Sequence, residues 1–302
     1  MSTAFLFPGQ GSQQVGMLQD IPAEYLERVA KVTGYQLIDV PQNYEDTVFI
    51  QLALLVKALF ALDEIQKNEI VPDLVAGHSL GAFAAAVACQ TLSFDDAVWL
   101  VYQRAVLMKA AYPSAYAMGV IVGLTRDEAA QVVQETFDPA YPVYLSNENC
   151  PMQHTISGAI IGLEKTLAVA KQRQAQTAKL LKVPVPSHCK LMQATVEKLT
   201  PYINQLTLQP ATCPYLKNTD GRLTQDAEAI RQDLLANIEQ PVQWRQMMAV
   251  AKEMGMDLTI EFPPGNTLTK LIHANFGEQL IRTINISQHG IDDTTFLYRK
   301  WR

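Results

Sequence analysis

Along this chain, short apolar runs bounded by glycine and proline alternate with longer stretches in which apolar residues recur at helical spacing. Ala4-Phe5-Leu6-Phe7 reads as a short strand, which the turn-rich segment Pro8-Gly9-Gln10-Gly11-Ser12-Gln13 cannot continue. Positions 49–65 read as a buried helix, with Leu52, Leu55, Ala58 and Leu62 close to one helical stripe. Leu74-Val75-Ala76 is a second short strand, followed at once by Gly77-His78-Ser79-Leu80-Gly81 and then by a helix-like run over 82–88. Ser93, with Asp95 and Asp96 just behind it, reads as an N-cap. The helix that it opens runs to about Tyr112, where Pro113 stops it.

The middle of the chain has another rhythm. Strands are predicted at 117–122, 143–145, 154–157 and 178–183. One helix opens at the capping box Thr125-x-x-Glu128 and runs to about Thr136, and another follows Gly158 through Gln174. The order β-α-β-β-α-β is that of a ferredoxin-like unit. The reading is therefore an α/β chain with a large subdomain over 1–112 and 187–302, interrupted by a small ferredoxin-like subdomain over 113–186. The large unit resumes near Pro186 and carries a further strand at Leu258-Thr259-Ile260.

Composition narrows the class. With 48% hydrophobic and 18% charged residues, 302 residues bury a sizeable core. A net charge of −6 argues against nucleic acid as a main partner. No apolar stretch approaches the ~20 residues of a membrane span. The start, Met1-Ser2-Thr3-Ala4-Phe5, lacks the pattern of a signal peptide. Cys89, Cys150, Cys189 and Cys213 show no C-x-x-C pairing, so neither a structural metal nor a disulfide framework is expected. A cytoplasmic protein with reduced thiols fits.

The chemistry centres on Gly77-His78-Ser79-Leu80-Gly81. Strand, tight turn and helix is the context of a G-x-S-x-G nucleophile elbow, which makes Ser79 a candidate acyl-carrying nucleophile. A purely structural turn has the same spacing. A serine needs a base, and His78, His154, His188, His273 and His289 are the candidates. His188 follows Pro184-Val185-Pro186-Ser187, a rigid connector back to the large unit, and is preferred on that ground. Arg104 sits on an apolar helix face between Leu100, Val101, Leu107 and Met108. A buried guanidinium needs an anion, either a carboxylate of the protein or one on a substrate. The backbone N–H groups of Gln10 and Leu80 are candidates for an oxyanion hole, although a plain turn explains Gln10 equally well.

Taken together these segments resemble the malonyl-CoA:acyl-carrier-protein transacylase family. The shared landmarks, in family order, are Phe7-Pro8-Gly9-Gln10-Gly11-Ser12-Gln13, the elbow, Gln103-Arg104, Pro186-Ser187-His188-Cys189, Pro241-Val242-Gln243-Trp244 and Pro263-Pro264-Gly265. The resemblance implies an α/β-hydrolase-like large subdomain with a parallel sheet. It implies Ser79 as acyl carrier, His188 as base, Arg104 on the malonyl carboxylate, and an oxyanion hole at Gln10 and Leu80. It further implies that the Gln243 main-chain carbonyl orients His188, giving a Ser–His dyad. Ping-pong transfer from malonyl-CoA to the thiol arm of a carrier protein follows, with no permanently bound cofactor and no metal. Ala82 stands where transacylases of fatty acid synthesis usually have glutamate. That residue and the stretches 111–118, 143–147 and 261–271 resemble more the malonyl-transferase (epsilon) subunit of malonate decarboxylase, whose acceptor is the carrier subunit of that assembly. The alternative is a malonyl transacylase of fatty acid or polyketide synthesis. A serine esterase, with an acidic third member, and a non-catalytic docking subunit are more distant.

Overall fold

The structure is a computed structural model that describes residues 2–112 and 114–302. The predicted helix stop at Pro113 and the residue Met1 lie outside the described residues. Elements run in the order β1 (Ser2–Phe7), α1 (Ala23–Thr33), α2 (Thr47–Lys67), β2 (Leu74–Gly77), α3 (Gly81–Ala88) and α4 (Phe94–Ala111). Then come β3 (Tyr116–Val122), α5 (Arg126–Thr136), β4 (Val143–Cys150), β5 (Gln153–Ala159), α6 (Ile160–Gln172) and β6 (Thr177–Leu180). The chain closes with α7 (Gln193–Ile203), β7 (Tyr215–Leu216), β8 (Leu223–Thr224), α8 (Ala227–Ala236), α9 (Trp244–Glu253), β9 (Met256–Glu261), α10 (Thr267–Phe276), β10 (Arg282–Asn285) and α11 (Ile286–Trp301).

Two sheets result. The larger has the order β10-β9-β1-β2-β7-β8, parallel throughout except for the β7–β8 pair. Strand periodicity divides its side chains between two layers. Phe5, Phe7, Val75 and Ile260 face the cluster built on α2, α3 and α4, while Ala4, Leu6, Leu74 and Ala76 face Trp244, Met247 and Leu268 of α9 and α10. Burial on both faces explains why β1 and β2 read as continuous apolar runs rather than alternating ones. The smaller sheet has the order β4-β5-β3-β6, antiparallel throughout, with Val132 of α5 and Leu163 of α6 packed in one cluster with Ile121 and Ile156 of the strands. This is the ferredoxin-like arrangement. Gly158, expected just before a helix, lies inside β5. A side chain there would meet the Pro142 carbonyl at 2.1 Å, so the position serves a close strand approach.

The end of β4 is fastened to the large sheet's helices from several sides. The Glu148 N–H donates to the Val242 carbonyl at 2.9 Å, and the Glu148 carboxylate pairs with Arg245 of α9 at 3.0 Å. Asn275 of α10 donates to the Asn149 carbonyl at 3.0 Å, and Asn149 Oδ1 lies 3.0 Å from His78 Nε2. At the other junction, the Ser157 hydroxyl donates to the Ser187 carbonyl at 2.6 Å. A cleft therefore runs between the two sheets with both walls tied. No helix among the described residues is long and apolar enough to cross a membrane.

Candidate active site

β1 and β2 end side by side, with Phe7 in register with Gly77, so the 8–13 turn and the elbow emerge next to each other at the carboxyl edge of the sheet. The His78 N–H donates to the Phe7 carbonyl at 2.9 Å and seals the junction. The two elbow glycines are required by close approach. A Cβ on Gly81 would stand 2.0 Å from the Phe7 carbonyl oxygen, and one on Gly77 would stand 2.1 Å from the backbone of Gly81. Between them Ser79 adopts φ 55°, a left-handed conformation that a non-glycine residue takes at a cost of about 1–2 kcal/mol. α3 starts two residues later, with its positive end toward the turn.

Ser79 and His188 line one cavity of about 560 Å³, together with Gln10, His78, Asn147 and Asn149. His188 is buried and also left-handed, with φ 65°. Its Nδ1 is hydrogen-bonded to the Asn237 carbonyl, and its N–H donates to the Ile238 carbonyl at 2.8 Å. A carbonyl only accepts, so Nδ1 carries the hydrogen and Nε2 keeps its lone pair. Burial, reinforced by the nearby Arg104 and His78, lowers the His188 pKa from 6.5 to about 3. The imidazole is therefore neutral at ordinary pH.

Arg104 approaches from beneath. On α4 it is 1% exposed, and its Nη2 lies 3.5 Å from Ser79 Oγ. Its Nη1 donates to Gln51 Oε1, and its Nε has no partner among the described residues. Among the described residues no carboxylate forms an ion pair with it. Burial lowers its pKa to about 10. The backbone N–H groups of Gln10 and Leu80 have no protein acceptor among the described residues, and Leu80 caps α3 next to Ser79.

The structure corrects one expected role. The carbonyl at His188 Nδ1 belongs to Asn237, not to Gln243. The Gln243 carbonyl accepts the Met247 N–H at 2.9 Å in the first turn of α9 and is spent on the helix. The other histidines are also accounted for. His78 lines the cavity but is bonded to Asn149, His154 is buried in β5, and His273 and His289 lie on α10 and α11 away from the cavity. Sequence reasoning missed Gln51, Asn218 and Asn237. Gln51 did leave a trace, as the one amide inside the otherwise apolar buried run from Val48 to Val56. Asn218 and Asn237 sit in polar connecting segments where no periodicity marks them.

Residues 4–288 match the model of the acyl transferase domain family. The chain is 35% identical over 282 residues to the malonyl CoA-acyl carrier protein transacylase of Salmonella typhimurium, covering 89% of this chain and 91% of that one. It is 32% identical over 283 residues to the protein of the same name from Bacillus subtilis, covering 89% of each. FabD from Acinetobacter baumannii superposes with a TM-score of 0.92 at 30% identity, covering 100% of this chain and 99% of that one. A structure of a type II PKS acyl-carrier protein in complex with its malonyl-transacylase superposes with a TM-score of 0.91 at 30% identity, covering 99% and 100%.

Proposed function

The chain belongs to the acyl transferase domain family and is an acyltransferase, and from that premise we propose that it carries malonyl from malonyl-CoA, through an ester on Ser79, to the thiol of an acyl carrier protein. The observation that carries this reading is Arg104, a buried cation without a carboxylate partner among the described residues, placed 3.5 Å from the Ser79 hydroxyl. An acyl group bearing its own carboxylate supplies the missing anion at the distance where the ester forms.

In the forward half-reaction Ser79 Oγ attacks the thioester carbonyl while His188 Nε2 takes the hydroxyl proton. The Gln10 and Leu80 N–H groups hold the tetrahedral oxyanion. The C–S bond then breaks, the proton passes from His188 to the coenzyme A thiolate, and Arg104 keeps the malonyl carboxylate in place. The carrier thiol reverses these steps. Asn237, through its carbonyl, keeps His188 in the tautomer that this proton transfer needs. The pair works as a Ser–His dyad, since a carbonyl stands where an esterase triad would place a carboxylate. No resident cofactor enters. The subdomain division at 113–186 goes with this reading, because the cavity lies between the two sheets. So does a cytoplasmic location, where the four free cysteines stay reduced.

For the acceptor, the named relatives support a carrier of fatty acid or polyketide synthesis better than the malonate decarboxylase carrier expected from Ala82. Intact mass after mixing with malonyl-CoA tests the core of the proposal. One malonyl group is expected on the wild type and none on Ser79→Ala; loading of the alanine variant would refute the assignment. Relative transfer rates to phosphopantetheine and phosphoribosyl-dephospho-CoA carriers decide the acceptor.

A further inference from the structure

The turn that carries Ser79 is held by a residue far along the chain. Asn218 follows β7 and is fully buried. Its Oδ1 accepts the Ser79 N–H at 2.9 Å, and its Nδ2 donates to the Gly77 carbonyl at 2.9 Å. One planar amide thus bridges both shoulders of the elbow, across the residue held in the left-handed conformation.

The backbone of Asn218 is itself fixed on two sides. Asp233 of α8 accepts the Asn218 N–H at 3.0 Å and the Thr219 N–H at 3.0 Å, and the Tyr215 hydroxyl donates to the same carboxylate at 3.0 Å. In the other direction the Asn218 carbonyl accepts the Gln243 N–H at 2.8 Å. Gln243 ends the segment that begins with Asn237 and Ile238, whose carbonyls hold the ring and backbone of His188. Asn218 therefore stands between the backbone that carries the hydroxyl and the backbone that orients the imidazole. It does not line the cavity that Ser79 and His188 share.

We infer that Asn218 is a positioning residue for acyl transfer, clamping the Gly77–Ser79 turn so that Ser79 Oγ is aimed at His188, with Asp233 holding the clamp. The inference rests on the reading of Ser79 as the acyl carrier. Displacement of a reacting group by about 1 Å costs on the order of 100-fold in rate. A positioning role appears in the rate at saturation and leaves donor binding unchanged.

The test is rapid-quench acylation by malonyl-CoA, read by intact mass, on Asn218→Leu and on Asn218→Thr. Leucine is close to the amide in shape but bonds neither shoulder, so its saturating acylation rate is expected to fall about 100-fold. The threonine hydroxyl, one atom nearer the backbone, can bond at most one shoulder, so that variant is expected to lose at least about tenfold. In both, the half-saturating malonyl-CoA concentration is expected to stay within about twofold of wild type. If the leucine variant fails to fold, the threonine variant alone decides. Wild-type rates per folded molecule, or a loss confined to the half-saturating concentration, overturn the inference. A wild-type protein that takes no malonyl on Ser79 removes the nucleophile assignment first, and the inference with it.

Discussion

Replacing Arg104 with methionine separates what this residue does for the fold from what it does for a substrate. Arg104 is 1% exposed, and burial alone lowers its pKa from the ordinary arginine value to about 10. At about 1.4 kcal/mol per tenfold change, holding that charge in the folded chain costs on the order of 3 kcal/mol. The folded value lies below the unfolded one, so the full cost applies at neutral pH and is relieved only as pH rises above about 10. Methionine nearly conserves the volume and removes that cost. It also leaves the buried Gln51 Oε1 without its donor, a loss of about 1–3 kcal/mol. The two effects offset, so the melting temperature of the free protein is expected to stay within about 4 °C of wild type. Function behaves differently. Two charge-assisted hydrogen bonds to a malonyl carboxylate, at about 1.5–3 kcal/mol each, correspond to a loss of about 10²–10⁴-fold in malonyl acylation. Acetyl-CoA, which has no such carboxylate, is expected to load at least as fast as on the wild type. Calorimetry without substrate and single-turnover acylation with the two donors measure both sides. A drop in melting temperature of more than about 10 °C would mark Arg104 as one half of an internal pair. Equal losses with malonyl and acetyl donors would refute the clamp.

Two further outcomes follow from the same geometry. The His188 pKa of about 3 lies below the usual 6.5, so the imidazole is already an unprotonated base and takes up a proton only near pH 3. The single-turnover acylation rate is accordingly expected to be flat from about pH 5 to pH 8, and an acid limb centred near 6.5 would contradict the burial argument. Gly81→Ala drives a methyl to within 2.0 Å of the Phe7 carbonyl and forces β1 away from the elbow. Urea unfolding should register a loss above about 4 kcal/mol or no soluble protein; wild-type stability would show that the turn yields.

What the chain discloses before folding depends on how local the cause is. The elbow was legible because its requirements are contiguous: an apolar strand, two glycines that admit close backbone, and a helix directly behind. The small subdomain was legible for a similar reason, since Thr125 and Glu128 form a complete capping box within four residues. The isolated two-residue strands β7 and β8 and the edge strand β10 left no pattern, because pairing with distant partners rather than local periodicity creates them. At the site, Ser79, His188 and Gln10 could be marked by type and neighbours, and they line one cavity. The residue orienting His188 was misplaced from Asn237 to Gln243. Its contribution is a carbonyl, which every residue owns, and only the path of the chain decides which carbonyl is free. Gln51, Asn218 and Asp233 act through partners 53, 139 and 15 positions away in the chain. No window along the sequence brings such pairs together.

The fastening of β4 to α9, α10 and the elbow has a bearing on turnover. With Glu148 and Asn149 moored to Val242, Arg245, Asn275 and His78, the two sheets are expected to travel as one body. The slot between them is then a fixed-bore passage rather than a jaw. Its calibre is then expected to be set when the chain folds, so that access to Ser79 is governed by the walls of the passage instead of by a closing gate. On that expectation, admission of bulkier donors comes from reshaping wall residues such as Met118 and Leu271.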